Sequence, residues 1–159
     1  IAEFERAVAL QPDLADAQYH LGATLWWTRQ IDAARKPLER AAALRPAHAE
    51  SRYYLGVVKR EQGDIAGAVA ELRAAVKADA SLAAAHLQLG VALQAWGDID
   101  NAIAALERAV ALDPSRADAA NSLGLALMQK GAAARARTST SSSPRRSPAD
   151  PDRRLACAP

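Results

Sequence analysis

One spacing constrains this chain more than any other feature. Leu-Gly recurs as Leu21-Gly22, Leu55-Gly56, Leu89-Gly90 and Leu123-Gly124, a step of 34 residues each time. Ala7, Ala41, Ala75 and Ala109 keep the step, as do Phe4, Leu38, Leu72 and Leu106, and Ala34, Ala68 and Ala102. Pro12, Pro46 and Pro114 form a further column, broken only by Ala80. Several independent columns sharing one period indicate a stack of like units, not one closed core. Inside a unit the apolar residues fall at helical spacing: Ala85, Leu89, Ala92, Leu93 and Trp96. Gly97 then suits a left-handed C-terminal cap, and Asp98 suits an N-cap. Ile99 to Leu112 makes a second helix that Pro114 does not continue. Small residues at Gly90, Ala102 and Ala109 let antiparallel helices approach, and a larger side chain there overpacks by about 1–3 kcal/mol.

Composition fits this reading. Of 159 residues 41 are alanine, the best helix former, and aromatics are only 4%, which excludes an all-β sandwich or barrel. The single cysteine, Cys157, excludes an intrachain disulfide framework and any Cys-based zinc module. No apolar run approaches the roughly 20 residues that span a bilayer.

The columns resemble the tetratricopeptide repeat, a 34-residue pattern of Leu-Gly, a large residue, Ala, an aromatic or Leu, Ala and Pro. The resemblance covers residues 1–131. It implies an all-α chain forming an α-α superhelix (a right-handed solenoid) of helix-turn-helix repeats, with a protein-interaction role for the concave face. In this register 1–14 is the second helix of a truncated repeat, 15–48, 49–82 and 83–116 are whole repeats, and 117–131 is the first helix of an incomplete one. The chain opens inside a repeat and without Met, as a piece of a longer array would.

Three positions depart from the pattern. Arg29-Gln30 stands where Gly63-Asp64 and Gly97-Asp98 make the turn, and Pro37 falls inside a second helix, where it kinks the helix unless it lies in the first turn. Lys59 occupies the column of Leu25, Leu93 and Leu127, with a stem able to pack while its ammonium reaches water. From Ala132 the pattern stops. Residues 132–159 read as a disordered Ser/Pro/Arg-rich tail, by composition a linker or the out-of-frame product of a GC-rich gene. Helix 117–130 is then expected to keep an uncovered face. The tail holds six arginines against two aspartates, so the alkaline pI belongs to it and the repeats are mildly acidic.

In the family the resemblance points to, the groove is lined by fixed positions of each first helix. By register these are Tyr19, His20, Ala23, Trp26 and Trp27 in the first whole repeat, and Tyr53, Tyr54, Val57, Arg60 and Glu61 in the second. They are Leu87, Gln88, Val91, Gln94 and Ala95 in the third, and Asn121, Ser122, Leu125, Met128 and Gln129 in the last. All three tyrosines and two of the three tryptophans fall in the first two sets, and such residues dominate binding hot spots. An aromatic-lined groove for an extended peptide or a partner helix is expected. The competing reading is that Trp26 or Trp27, and one of Tyr53 and Tyr54, only fill the packing between repeats. Trp96, at a helix end, reads as packing.

The carboxylate clamp that some family members use for chaperone tails falls on Tyr19, Ala23, Tyr54, Ala84 and Gln88, or one repeat later on Tyr53, Val57, Gln88, Asp118 and Ser122. Neither set supplies a cation for a carboxylate. The Asn ladder of O-linked N-acetylglucosamine transferases falls on His20, Tyr54, Gln88 and Ser122 and is absent. His20, His48 and His86 lie in three different columns and make no metal spacing, and no Gly-rich phosphate loop is present. A non-enzymatic interaction scaffold without cofactor or metal is therefore expected. It has a protein or peptide partner, binds neither nucleic acid nor membrane, and is more at home in the cytoplasm than outside the cell. The alternative is the non-catalytic repeat arm of a larger enzyme such as a glycosyltransferase. An RNA-binding helical repeat would need a basic groove, which the acidic repeats do not provide.

Overall fold

The computed structural model describes residues 1–141, with side chains through Arg135. Among the described residues there are eight helices and no strand. They are α1 (Ala2–Leu10), α2 (Ala15–Trp27), α3 (Ile31–Leu44), α4 (Ala49–Glu61), α5 (Ile65–Ala78), α6 (Ala83–Trp96), α7 (Ile99–Leu112) and α8 (Ala117–Ser141). The boundaries reproduce the 34-residue register, with α2/α3, α4/α5 and α6/α7 as the three whole repeats.

Each repeat is locked by one contact. Leu38, Leu72 and Leu106 are fully buried, and each sits over the glycine of the Leu-Gly pair on its partner helix. A methyl group at Gly22, Gly56 or Gly90 would lie 2.5, 2.6 or 2.5 Å from the Cγ of that leucine, closer than real carbons approach. The alanine columns complete the seam. Ala34, Ala68 and Ala102 are 0% exposed, and so are Ala75 and Ala109.

Neighbour relations give the stack its curvature. Each second helix packs on the first helix of its own repeat and of the next. First helices also touch one another, as α2 with α4, α4 with α6 and α6 with α8, whereas among the described residues second helices do not touch second helices. The layer whose members touch lies on the inside of the bend, so the first helices line the concave face. This is the α-α superhelix that the period implies.

The turn at Arg29 copies its glycine counterparts. Gly63 and Gly97 have φ of 84° and 89°, and Arg29 adopts 62°. The Arg29 and Gln30 amides donate to the carbonyls of Trp26 and Leu25, as the Gly97 and Asp98 amides donate to those of Gln94 and Leu93. What is lost is chemistry, not shape. Asp64 and Asp98 accept from the amides of Gly67 and Asn101, while Gln30 makes no side-chain cap. Pro37 lies beyond the first turn of α3, and the helix continues past it to Leu44. The carbonyl that Pro37 leaves without a donor is that of Ala33, an exposed residue, so water can serve it.

Two expectations are corrected. Lys59 does not send its ammonium into water. Its side chain is 14% exposed and its Nζ lies 2.9 Å from Glu71 Oε1, while Arg52 holds Glu71 Oε2 at 2.7 Å. The leucine column is replaced here by a three-residue ion network between α4 and α5. The last helix does not end at residue 130 either. α8 runs through Gly131 to Ser141, because Gly131 does not take the left-handed conformation that ends α6 and the next residues are Ala-Ala-Ala-Arg-Ala-Arg. Lys130 pairs with Asp100 at 2.8 Å and ties the helix to α7. The rest of the expected tail, 142–159, lies outside the described residues.

Among the described residues no second helix folds back on α8, and it keeps an open face, as expected. Nothing lies within 4 Å of a methyl group placed at Gly124. Leu127 is 49% exposed, where its column mates Leu25 and Leu93 are 5% and 2%. Two outcomes follow for denaturation experiments. Gly90→Ala should lose about 1–3 kcal/mol through overpacking, whereas Gly124→Ala should be neutral or gain up to about 1 kcal/mol from helix propensity. Arg29→Gly should gain about 1 kcal/mol by relieving the left-handed strain, less the small contribution of the exposed Arg29–Glu61 pair.

Candidate functional site

The concave face carries the aromatic residues, because helical spacing sets Tyr19, Trp26 and Trp27 on one side of α2 and Tyr53 and Tyr54 on the matching side of α4. Tyr54 joins the two sets. Its ring centroid lies 6.0 Å from Tyr19, 5.4 Å from Trp26 and 5.0 Å from Tyr53. The string extends from Tyr19 to His20 at 4.8 Å and on to Phe4, stacked on His20 at 5.5 Å. At its other end Trp26 meets Trp27 edge-on at 5.0 Å. Six of the seven aromatic residues of the chain thus form one continuous string.

Members of the string differ in availability. Tyr19, Trp26 and Tyr54 are half-buried against the core that contains Leu21, Leu25, Leu38 and Leu55. Tyr53 packs on the next core, with Leu72 and Leu89. Trp27 is 68% exposed, and His20 is exposed. At the tryptophan pair the two residues differ: Trp26 packs and Trp27 projects. Burial raises the phenol pKa of Tyr19 and of Tyr53 above the usual 10.0, with the neighbouring Tyr54 adding to each.

The remaining candidates divide. Ala23 and Val57, expected as groove contacts, are 8% and 1% exposed and lie beneath the surface, so their role is packing. Leu87 is likewise buried. Gln88 and Val91 on α6 are half-buried, and Asn121 on α8 is exposed. Trp96, expected to pack, is 58% exposed and borders a cleft with Ala66, Val69, Ala70 and Arg73 of α5. It stands at the last turn of α6, where it meets the neighbouring repeat only at the edge of this cleft.

Polar side chains link successive first helices. Trp26 Nε1 donates to Glu61 Oε1 at 3.1 Å, and Gln94 Nε2 donates to Gln129 Oε1 at 2.8 Å. Arg29 holds the other oxygen of Glu61 at 3.2 Å. At the far side Arg116 meets Asp118 with two bonds of 3.2 Å each. One contact was not legible from the pattern: His48 caps α4 by accepting from the Ser51 amide, and its ring meets Tyr19 edge-on at 5.0 Å. The His48-x-x-Ser51 spacing was its only signal. Among the described residues no group of three or more His, Cys, Asp or Glu could hold a metal, and no helix is long and apolar enough to cross a membrane.

The fold and its lined inner face define a helical-repeat solenoid. The tetratricopeptide repeat model matches residues 24–83 and 87–151, well over half of the chain, and the protein belongs to that family. No curated protein matches the sequence. Among solved structures, MamA superposes with a TM-score of 0.76 at 26% identity, over 80% of this chain and 75% of MamA. YrrB, described as a tetratricopeptide repeat protein with an unusual peptide-binding site, gives 0.72 at 25% identity over 82% of this chain and 67% of its own. The first such domain of Spaghetti (RPAP3), bound to an HSP90 peptide, gives 0.70 at 19% identity over 74% and 93%, a likeness of fold.

The raised phenol pKa values carry a pH prediction. The folded state favours the neutral phenols, so stability is unaffected below the ordinary value near pH 10 and falls as pH rises beyond it. A near-ultraviolet tyrosinate titration should show late-titrating phenols, and Tyr19→Phe with Tyr53→Phe should remove them.

Proposed function

We propose that this protein is a non-catalytic interaction scaffold that holds an extended peptide or a partner helix along its concave face. The aromatic string is the main contact. The observation that carries this reading is the collection of five of the chain's seven aromatic residues on the inner layer, on α2 and α4, ending in an indole that is 68% exposed. Large aromatic side chains supply contact area at low entropic cost, and a string spanning two repeats suits a ligand that runs along the groove. The peptide-binding site in the description of YrrB supports the same use of the fold. The positions of a carboxylate clamp hold no Lys or Arg, so the ligand is engaged along its length and not by its C-terminus.

The test separates contact from packing. Trp27→Ala should change stability by no more than about 0.5 kcal/mol, as exposed substitutions do, while sharply reducing retention on an array of random nine-residue peptides. Trp26→Ala should cost about 2 kcal/mol or more, because that ring packs on the core and donates to Glu61. If Trp27→Ala unfolds the chain or leaves retention unchanged, the groove reading is wrong.

A further inference from the structure

We propose that Arg60 is the receptor for an acidic side chain of the bound peptide, so that the groove selects segments carrying Asp or Glu. This rests on the reading of the concave face as a peptide groove, and it adds the ligand's charge.

The argument starts from a broken rung. Successive first helices are bridged by a side chain of one reaching the residue 35 positions on, as in Trp26 to Glu61 and Gln94 to Gln129. The rung between these two falls on Arg60 and Ala95. Ala95 has no acceptor to offer. Glu61, the neighbour of Arg60 in sequence, belongs to the preceding rung, and both of its oxygens are engaged, one by Trp26 and one by Arg29.

Arg60 is left alone as a result. Its Nε is buried without a hydrogen-bond partner, and among the described residues its guanidinium makes no ion pair. Buried donors without partners cost stability, and those of a charged group cost more than neutral ones. Arg116, which like Arg60 acts on Tyr53, is already neutralised by two bonds to Asp118. Arg60 therefore presents a positive charge that no ion pair among the described residues neutralises. It stands two turns along α4 from Tyr53, on the same side of the helix, next to the aromatic string.

The shape of the vacancy specifies its occupant. A guanidinium offers a planar fork of donors that a carboxylate fits with two parallel bonds. Among the described residues the other buried side-chain polar atom without a partner is Gln88 Oε1, an acceptor, on the neighbouring first helix α6.

The test uses the full chain and an immobilised array of nine-residue peptides, in which each Asp or Glu member has an Asn or Gln twin. The wild type should retain acidic members about tenfold better than their twins, the size of one charge-assisted bond, and the preference should shrink as salt rises. Arg60→Gln should bring the ratio to about one. Ala95→Glu should do the same by a different route, since it closes the rung internally, and it should raise the melting temperature. Retention of amide twins should survive both changes. Competition by inorganic phosphate as effective as that by a free acidic peptide would overturn the assignment of a peptide ligand. An acidic-to-amide ratio that neither substitution moves would overturn the proposal while leaving the groove reading intact. Failure of the wild type to retain any member, acidic or amide, would overturn both.

Discussion

The structure depends on a leucine set over a glycine. In each whole repeat the second helix drives Leu38, Leu72 or Leu106 into the notch left by the missing side chain of Gly22, Gly56 or Gly90. That contact fixes how closely the two helices lie and where along their length they meet. With distance and register fixed, the alanine columns fall into the seam and their methyl groups become fully buried. A wider helix pair would leave voids beside alanines too short to fill them. The alanine-rich composition is thus a consequence of one close approach repeated three times.

The same approach produces the face on which function is built. Because first helices pack on first helices and second helices do not meet, every first helix turns one side toward the inside of the bend. Side chains there are free of the tight seam and can be large. Five of the seven aromatic residues stand there, on α2 and α4, where rings from successive repeats come within contact of each other. Farther along, the inner face turns polar, with an amide bridge between α6 and α8 and an ion pair at the start of α8. The groove therefore has two chemistries along one axis, an aromatic stretch and a hydrogen-bonding stretch, and Arg60 stands between them.

Much of this was legible in the sequence because the period is a physical property of the seam. Leu-Gly and the alanine columns recur because each copy solves the same packing problem, so reading one repeat reads them all. The turn at Arg29 shows that position can outweigh residue type, since arginine there adopts the backbone of the glycines it replaces. What the period did not carry was anything depending on which side chains meet across it. Val57 and Trp27 occupy neighbouring kinds of groove position, yet one is sealed and the other projects. The partner of Lys59 is Glu71, twelve residues away on another helix, and no column pairs them. The course of α8 past Gly131 follows local helix propensity, whereas the repeat pattern predicts an end to the helix there.

The open notch at Gly124 has a consequence for motion. In a linear array each unit is stabilised by its own pairing and by its neighbours, and cooperativity passes from one interface to the next. α4 and α6 are clasped by helices on both sides, while among the described residues α8 holds only to α7 and α6 and meets no leucine of the kind that pins the other first helices. Among the described residues α1 is held still less, since it packs on α2 alone and buries no residue. Opening is therefore cheap at both ends, amide protons of α1 and α8 exchange with solvent sooner than those of α4 and α6, and the solenoid is stiffest in its middle.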